Sequence, residues 1–210
     1  SMILGIGWGV GVRSVVQELA PRLLPDAQVV QLTGGVGALS RSIDGTEMTR
    51  RAGEMLGAAA YYMNAPVIVE SGTVAAALRE DRTIKEVLDV GQKAQEALAG
   101  IGTTIPEASS QYEAGYLSFD ELQLLQKLGV VGDIYNRYFN IQGKHISVPA
   151  IDPRVISISW EDISRIDTVI GIAAGKQKTT AILGAIRTGL IDILVTDDIT
   201  AVEVLRLDRY

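Results

Sequence analysis

The feature that most restricts this chain is its rhythm. Short apolar runs rich in Val, Ile and Leu alternate with stretches of helical periodicity from end to end. Residues 2–8 read as a buried strand, and residues 12–24 place Val12, Val15, Val16, Leu19 and Leu23 on one helical face. Strands follow at 27–32 and 66–70, with helices at 46–63, 73–79 and 83–97, and a further strand at 97–101. Residues 118–128 are helical, opened by a capping box between Ser118 and Glu121. Residues 130–148 break the alternation. They are rich in Val, Ile, Tyr and Phe, with Gln142-Gly143 as a turn, and read as a hairpin-like insert. Strands at 168–174 and 191–196 then alternate with helices at 178–187 and 199–207. Strands separated by helices argue for a parallel sheet covered on both faces. The expectation is one α/β domain over residues 1–210 with a small β-rich excursion.

Composition narrows the function classes. The 210 residues carry a net charge of −6, with Lys and Arg spread along the chain rather than gathered into a basic face. A segment of this kind is a poor grip for nucleic acid. There are no cysteines, which removes disulfides and thiolate chemistry, and one histidine, His145, which nearly excludes a histidine-based zinc site, so no metal and no cofactor is expected. No apolar run approaches a membrane span, and Arg13 follows the first apolar run instead of preceding it as in a signal peptide. The expected location is the cytoplasm. Ser1-Met2 looks like a cloning remnant, so the segment is expected to come from a longer protein.

Glycines cluster after the strands. Gly5, Gly7, Gly9 and Gly11 end the first, Gly34, Gly35 and Gly37 follow the second, Gly100 and Gly102 flank the fourth, and Gly171 and Gly175 bracket a later one. In a parallel sheet those strand ends share one edge, where ligands bind. Tight turns need glycine anyway; convergence of several such loops on one edge favours a binding site. Lys176 and Lys178 stand at the start of a helix, where the dipole disfavours cations. A bound anion reverses that penalty, and we read this segment as a phosphate site. It is not a P-loop: three residues separate Gly171 from Gly175, and Gln177 follows Lys176. Nor is it a dinucleotide fingerprint, since Val10 or Val12 fills the third glycine position.

Few side chains suit catalysis. Asp133 reads equally as an acceptor for sugar hydroxyls or as a turn aspartate. Asp197-Asp198 reads as an N-cap pair. Arg41 is a better phosphate candidate than Arg50-Arg51, and Trp8 between loop glycines reads as a wall of the pocket. His145 reads as a strand-surface residue, and Tyr135, Tyr138 and Phe139 as packing for the insert, or one of them as a lid on the pocket. No serine elbow or metal-ligand helix motif appears.

An ordered set of motifs then resembles one family. Gly5-Ile-Gly7-Trp-Gly9, Gly34-Gly35, Gly100-Ile101-Gly102, Gly132-Asp133-Ile with Tyr138-Phe139 and Gly143, Ala-Gly175 with Lys178, Ala181 and Ile182, and Leu194-Val-Thr-Asp197 with Thr200-Ala201 follow in sequence. The chain resembles, over essentially its whole length, the sugar-binding domain of SorC-type transcriptional regulators. The resemblance implies a Rossmann-like fold similar to ribose-5-phosphate isomerase and glucosamine-6-phosphate deaminase. It implies a phosphorylated sugar as effector, homo-oligomerisation as dimer or tetramer, and DNA contact only through a helix-turn-helix domain that precedes this segment. Phosphate contacts carry over to Gly7 and Gly9, Gly34 and Gly35, and Lys178, and the sugar-hydroxyl contact to Asp133. With Trp8, Gly102 and Lys176 from the strand-end reading, these form the candidate ligand-binding set. Departures are Ala174 for a usual glycine, Asn140 and Asp198 for other acidic residues of the pattern, and Gln95-Glu96 where an aspartate usually opens the Gly-Ile-Gly strand. One alternative is an isomerase or deaminase on the same fold, with Asp133 and Glu107 as nominal acid/base groups; another is a purely structural oligomerisation domain, which leaves the lysine-bearing helix start unexplained.

Overall fold

The computed structural model describes residues 2–36 and 44–209. Its described residues form an eight-stranded sheet. The strands are β1 (Ile3–Ile6), β2 (Gln28–Gln31), β3 (Ala59–Tyr61), β4 (Glu96–Thr103), β5 (Val130–Ile134), β6 (Arg137–Asn140), β7 (Thr168–Ile172) and β8 (Ile193–Val195). The parallel part runs β3-β2-β1-β4-β7-β8. Beyond it, Ile101, Gly102 and Thr103 of β4 turn to pair antiparallel with Ile134, Asp133 and Gly132 of β5, which pairs antiparallel with β6. The expected parallel sheet with a β-rich insert is therefore present, and β4 belongs to both parts.

Helices cover both faces. On one, Leu4, Ile6, Val29 and Leu98 pack against α1 (Val10–Gln17) and α2 (Gly45–Leu56). On the other, Ile3, Val30, Ala97 and Ala99 pack against α3 (Gly72–Glu80) and α4 (Arg82–Gly91), with later residues of the same core from a C-terminal helix, Thr179–Arg187. Alternate strand residues thus feed opposite layers, as the period of two requires. A short helix, α5 (Ser110–Glu113), is followed by α6 (Phe119–Lys127), whose Leu122 and Leu125 join Val130, Tyr138, Val148 and Val155 in a further core cluster. The capping box holds: Ser118 accepts from Glu121 N–H while the Glu121 carboxylate accepts from Ser118 N–H. After α7 (Trp160–Ile163), the C-terminal helices are α8 (Thr179–Arg187) and α9 (Asp198–Asp208).

Several boundaries differ from the sequence reading, each for a local reason. α1 stops at Gln17, short of Leu24. Pro21 cannot continue the helix, so Arg22 and Leu24 instead donate to Met55 and Leu56 carbonyls, and Leu23 is exposed. α2 ends on left-handed Gly57 with φ 59°, which frees the following residues for β3. Residues 66–70 make isolated bridges, Gly35 to Pro66 and Ile68 to Val155, instead of a strand, because Pro66 has no N–H for a ladder. The β5–β6 connection, at Tyr135-Asn136, is not anticipated by the sequence reading; the expected Gln142-Gly143 turn forms after β6 and returns His145 antiparallel to Phe139, with Gly143 N–H donating to the Asn140 carbonyl.

Gly34 is fixed by this crossing of chains. A Cβ there would lie 2.5 Å from the Pro66 carbonyl, and its N–H already donates to Ile156 at 2.9 Å. Gly34→Ala therefore overpacks backbone against backbone and should destabilise the fold by about 1–3 kcal/mol. For a chain of this size that is roughly 2–4 °C in Tm per kcal/mol, read by thermal unfolding.

Candidate functional site

Chain order along the sheet reverses between β1 and β4: β2 and β3 lie to one side, and the chain then crosses to β4 on the other. Loops leaving such a reversal diverge, and a crevice opens between them at the strands' C-terminal ends. A crevice lies there, about 530 Å³ when the open solvent at its mouth is counted. Trp8, Gly9, Val10 and Gly11 form the wall after β1, and Gly100 to Thr103 the wall along β4. Ile172 closes it from β7, Asp133 and Tyr135 from the insert, and Ser109, Ser110 and Gln111 from the start of α5. Lys178 completes the lining.

The start of α1 faces this cavity without a side-chain cap. Its first intrahelical bond is Arg13 N–H to Gly9, so the N–H groups of Val10, Gly11 and Val12 precede any helical acceptor. Such a helix end carries orphan donors and partial positive charge, a ready seat for an anion. Across the cavity, Lys178 is half-buried, and its Nζ donates to the Ile101 carbonyl at 2.9 Å.

Asp133 is the other charged group of the cavity wall. It is 9 % exposed, and burial pushes its carboxyl up to about 6, opposed by the Asn136 N–H, the Lys178 ammonium and the Gln111 amide. Burial lowers Lys178 from its ordinary range, and the facing Asp133 partly restores it. The carboxylate lies directly over Gly102, where a Cβ would come within 1.9 Å of Oδ1. Gly102 is thus the space that admits Asp133. The Gln111 side chain accepts from the Tyr138 hydroxyl at 3.0 Å, which fixes the amide beside the acid.

The candidate set divides. Trp8, Gly9, Gly102, Asp133 and Lys178 come together around the cavity. Gly7 lies behind it, its N–H donating to Leu98 at 3.0 Å. Gly34 and Gly35 do not line it: both N–H groups already serve backbone carbonyls, and Gly35 borders a separate hollow with Asp44, Asn64 and Tyr116. Lys176 is exposed on an outer hollow beside Thr180, Glu203 and Arg206. It and Lys178 form a single 3-10 turn before α8, and that turn sends them different ways. Gly37 and Arg41 fall outside the described residues.

Other readings resolve locally. Asp197 caps α9, accepting from Thr200 N–H at 2.7 Å. Arg50 pairs with Glu47 and Glu54 on the surface, Glu107 is exposed away from the cavity, and His145 stacks on Trp160 with centroids 4.4 Å apart. The sequence reading missed Ser109, Ser110 and Gln111. Their signal was a polar run that the fold buries at a helix start, where Ser109 and Gln111 are 4 % and 5 % exposed. Among the described residues no cluster of His, Cys, Asp and Glu could hold a metal ion, and no helix is long and apolar enough to cross a membrane.

Comparison with known proteins converges on one group. Residues 1–206 match the family model described as "Putative sugar-binding domain". The chain is 30 % identical over 199 residues to the deoxyribonucleoside regulator of Bacillus subtilis, covering 95 % of this chain and 63 % of that protein. It thus spans less than two thirds of that relative's length. Among solved structures, the full-length sorbitol operon regulator SorC of Klebsiella pneumoniae superposes with a TM-score of 0.89 at 26 % identity, covering 97 % of this chain and 65 % of that one. The "Putative Sugar-Binding Domain of Transcriptional Repressor" from Vibrio fischeri gives a TM-score of 0.85 at 29 % identity, covering 100 % of this chain and 81 % of that one. These relatives are named as regulators, not enzymes. The chain belongs to the sugar-binding domain family of SorC-type transcriptional regulators.

Proposed function

We propose that this chain is the effector-binding domain of a sugar-responsive regulator, and that its effector is a phosphorylated sugar held in the β1/β4 crevice. The observation that carries this reading is the opposition within one cavity of an uncapped helix start, a half-buried lysine and a buried carboxylate. The N–H groups at the start of α1, with Lys178, suit a phosphate. Asp133 suits neighbouring hydroxyls of the sugar, and Trp8 gives an apolar wall for its carbon face. The family and the regulators named above support the same reading. Lys178 belongs to the ligand; Lys176, Gly34 and Gly35 drop to supporting positions.

On this reading the sugar shifts an equilibrium between states of the domain, and a preceding helix-turn-helix domain responds on DNA. The chain assembles with copies of itself. The support is a band of exposed apolar residues along β8 and α9: Ile193 and Val195 at 48 % and 42 %, Ile199, Val202 and Leu205 at 60 %, 46 % and 61 %. The likeness to ribose-5-phosphate isomerase and glucosamine-6-phosphate deaminase is part of the same proposal, and a mixed α/β fold with a partly parallel sheet supports it. One observation favours the enzymatic alternative, the carboxyl of Asp133 at about 6, suited to moving protons near neutral pH. The nominal partner acid, Glu107, stands outside the cavity.

A thermal-shift panel of phosphorylated and free sugars, with turnover followed on each hit, tests the reading. A phosphosugar at one hundred times its Kd should stabilise the chain by about 2.7 kcal/mol and remain unconsumed. Lys178→Ala should abolish the shift and leave the apo chain folded. Stabilisation by free sugars alone would sink the phosphate assignment, and turnover would establish the enzyme.

Asp133 adds a pH signature to the apo chain. Its carboxyl stays protonated in the fold up to about pH 6, whereas the unfolded chain releases that proton near 3.8. Stability from this group is therefore fully present at lower pH and lost as pH rises through that window, by at most about 1.4 kcal/mol per pH unit. Denaturant unfolding against pH should show this falling component in the parent and not in Asp133→Asn. For assembly, Val202→Lys with Leu205→Lys should reduce the oligomer seen by light scattering to a monomer with unchanged circular dichroism.

A further inference from the structure

Asn136 is not a wall of the cavity, yet it holds two of the walls. Its backbone N–H donates to Asp133 Oδ2 at 3.0 Å, and its side-chain Oδ1 accepts from the Trp8 indole at 3.5 Å. The same oxygen accepts from the Thr33 hydroxyl at 3.3 Å. Trp8 follows β1, Thr33 follows β2, and Asp133 belongs to β5, so this one residue ties together three strand ends, two through its side-chain amide and the third through its backbone N–H. Asn136 is fully buried, and its Nδ2 has no hydrogen-bond partner among the described residues. Packing alone does not favour a buried amide with an idle donor.

The backbone tells the same story. Tyr135 and Asn136 have φ of 51° and 62° and form the two-residue connection between β5 and β6. A turn with both central residues at positive φ favours Asn-Gly, and a tyrosine in the first place is a poor choice. Both side chains are nevertheless engaged: Tyr135 donates from its hydroxyl to the Leu98 carbonyl of β4 at 2.9 Å, and Asn136 reaches Trp8. The indole in turn packs against the cluster around Leu122, Leu125 and Tyr138.

We propose that Asn136 is a positioning residue for effector recognition, fixing the Trp8 wall and the Asp133 acceptor together so that an event at the carboxylate is registered at the indole. The link to an effector rests on the function proposed above; the coupling between Asp133 and Trp8 does not, and it is measurable without any ligand.

The chain has two tryptophans, so Trp160→Phe leaves Trp8 as the sole reporter and removes the indole that stacks on His145. In that parent, Trp8 emission should titrate with Asp133. The charged group facing the acid across the cavity is Lys178, lowered from its ordinary range by burial and partly restored by Asp133. Asn136→Gly suits the positive φ and keeps the backbone donor to Asp133, but deletes the amide. It should retain circular dichroism, expose Trp8 to acrylamide and abolish the titration. Asp133→Asn should abolish the titration while leaving Trp8 protected. Two results overturn the coupling: unchanged quenching in Asn136→Gly, or a titration that survives either substitution. With a sugar phosphate that stabilises the parent, Asn136→Gly should weaken binding about tenfold, one hydrogen bond's worth. Inorganic phosphate, which needs only the α1 start and Lys178, should bind as before; an equal loss for both would reduce Asn136 to a structural residue.

Discussion

The organisation of this molecule depends on one strand that keeps two different partners. The first residues of β4 lie parallel to β1 and β7 in the large sheet, and Ile101 to Thr103 pair antiparallel with β5. This dual pairing docks the insert over the strand ends instead of beside the sheet. It puts Asp133 of β5 opposite Gly102 of β4, directly over the cavity edge. Without the antiparallel extension the crevice would be an ordinary strand-end groove, with glycine loops and no acid. The composition of β4, Glu-Ala-Leu-Ala-Gly-Ile-Gly-Thr, follows from the same demand. Small residues let a helix on one side and a hairpin on the other approach the same backbone.

That arrangement has an electrostatic consequence. Asp133 and Lys178 are each partly stripped of water, and each is displaced from its ordinary titration range mainly by that burial. Their mutual attraction opposes the shift on both sides without cancelling it. A pair held in this state is uncomfortable in the empty domain, since desolvation is compensated only in part. A ligand that offers an anion to the lysine and hydroxyls to the acid would relieve both at once. The penalty is stored where a ligand can collect it, which suits a sensor whose two states must differ in affinity for the effector.

How much of this could be read from sequence follows the range of each interaction. The strand and helix rhythm was legible because hydrophobic periodicity is local, and so were the Ser118–Glu121 capping box and the Asp197 cap. Asp133 and Lys178 were legible as chemistry-bearing residues at strand ends. Gly34 and Gly35 were misleading for a physical reason: glycine is required equally by a phosphate cradle and by backbone crossing backbone, and Pro66 supplies the second cause. Lys176 and Lys178 stand two apart, and only the course of a 3-10 turn decides which one enters the cavity. Ser109 to Gln111 showed only as a polar run, and the place of Gln111 in the wall is set by its long-range contact with Tyr138.

The Tyr135-Asn136 turn shows why local rules fail most where function concentrates. By turn chemistry alone, Gln142-Gly143 was the better hairpin turn, since glycine tolerates positive φ and tyrosine does not. The chain does turn there, bringing His145 back antiparallel to Phe139, and it turns also at the poorer pair, because Tyr135 and Asn136 gain partners on β4 and behind β1 that no neighbour in sequence reveals. Such exceptions cluster where side-chain placement matters more than backbone comfort. The turn lies between the residue that meets the ligand's hydroxyls, on the proposed reading, and the aromatic wall opposite. A conformational cost there is the expected signature of a device that must keep two recognition elements in register.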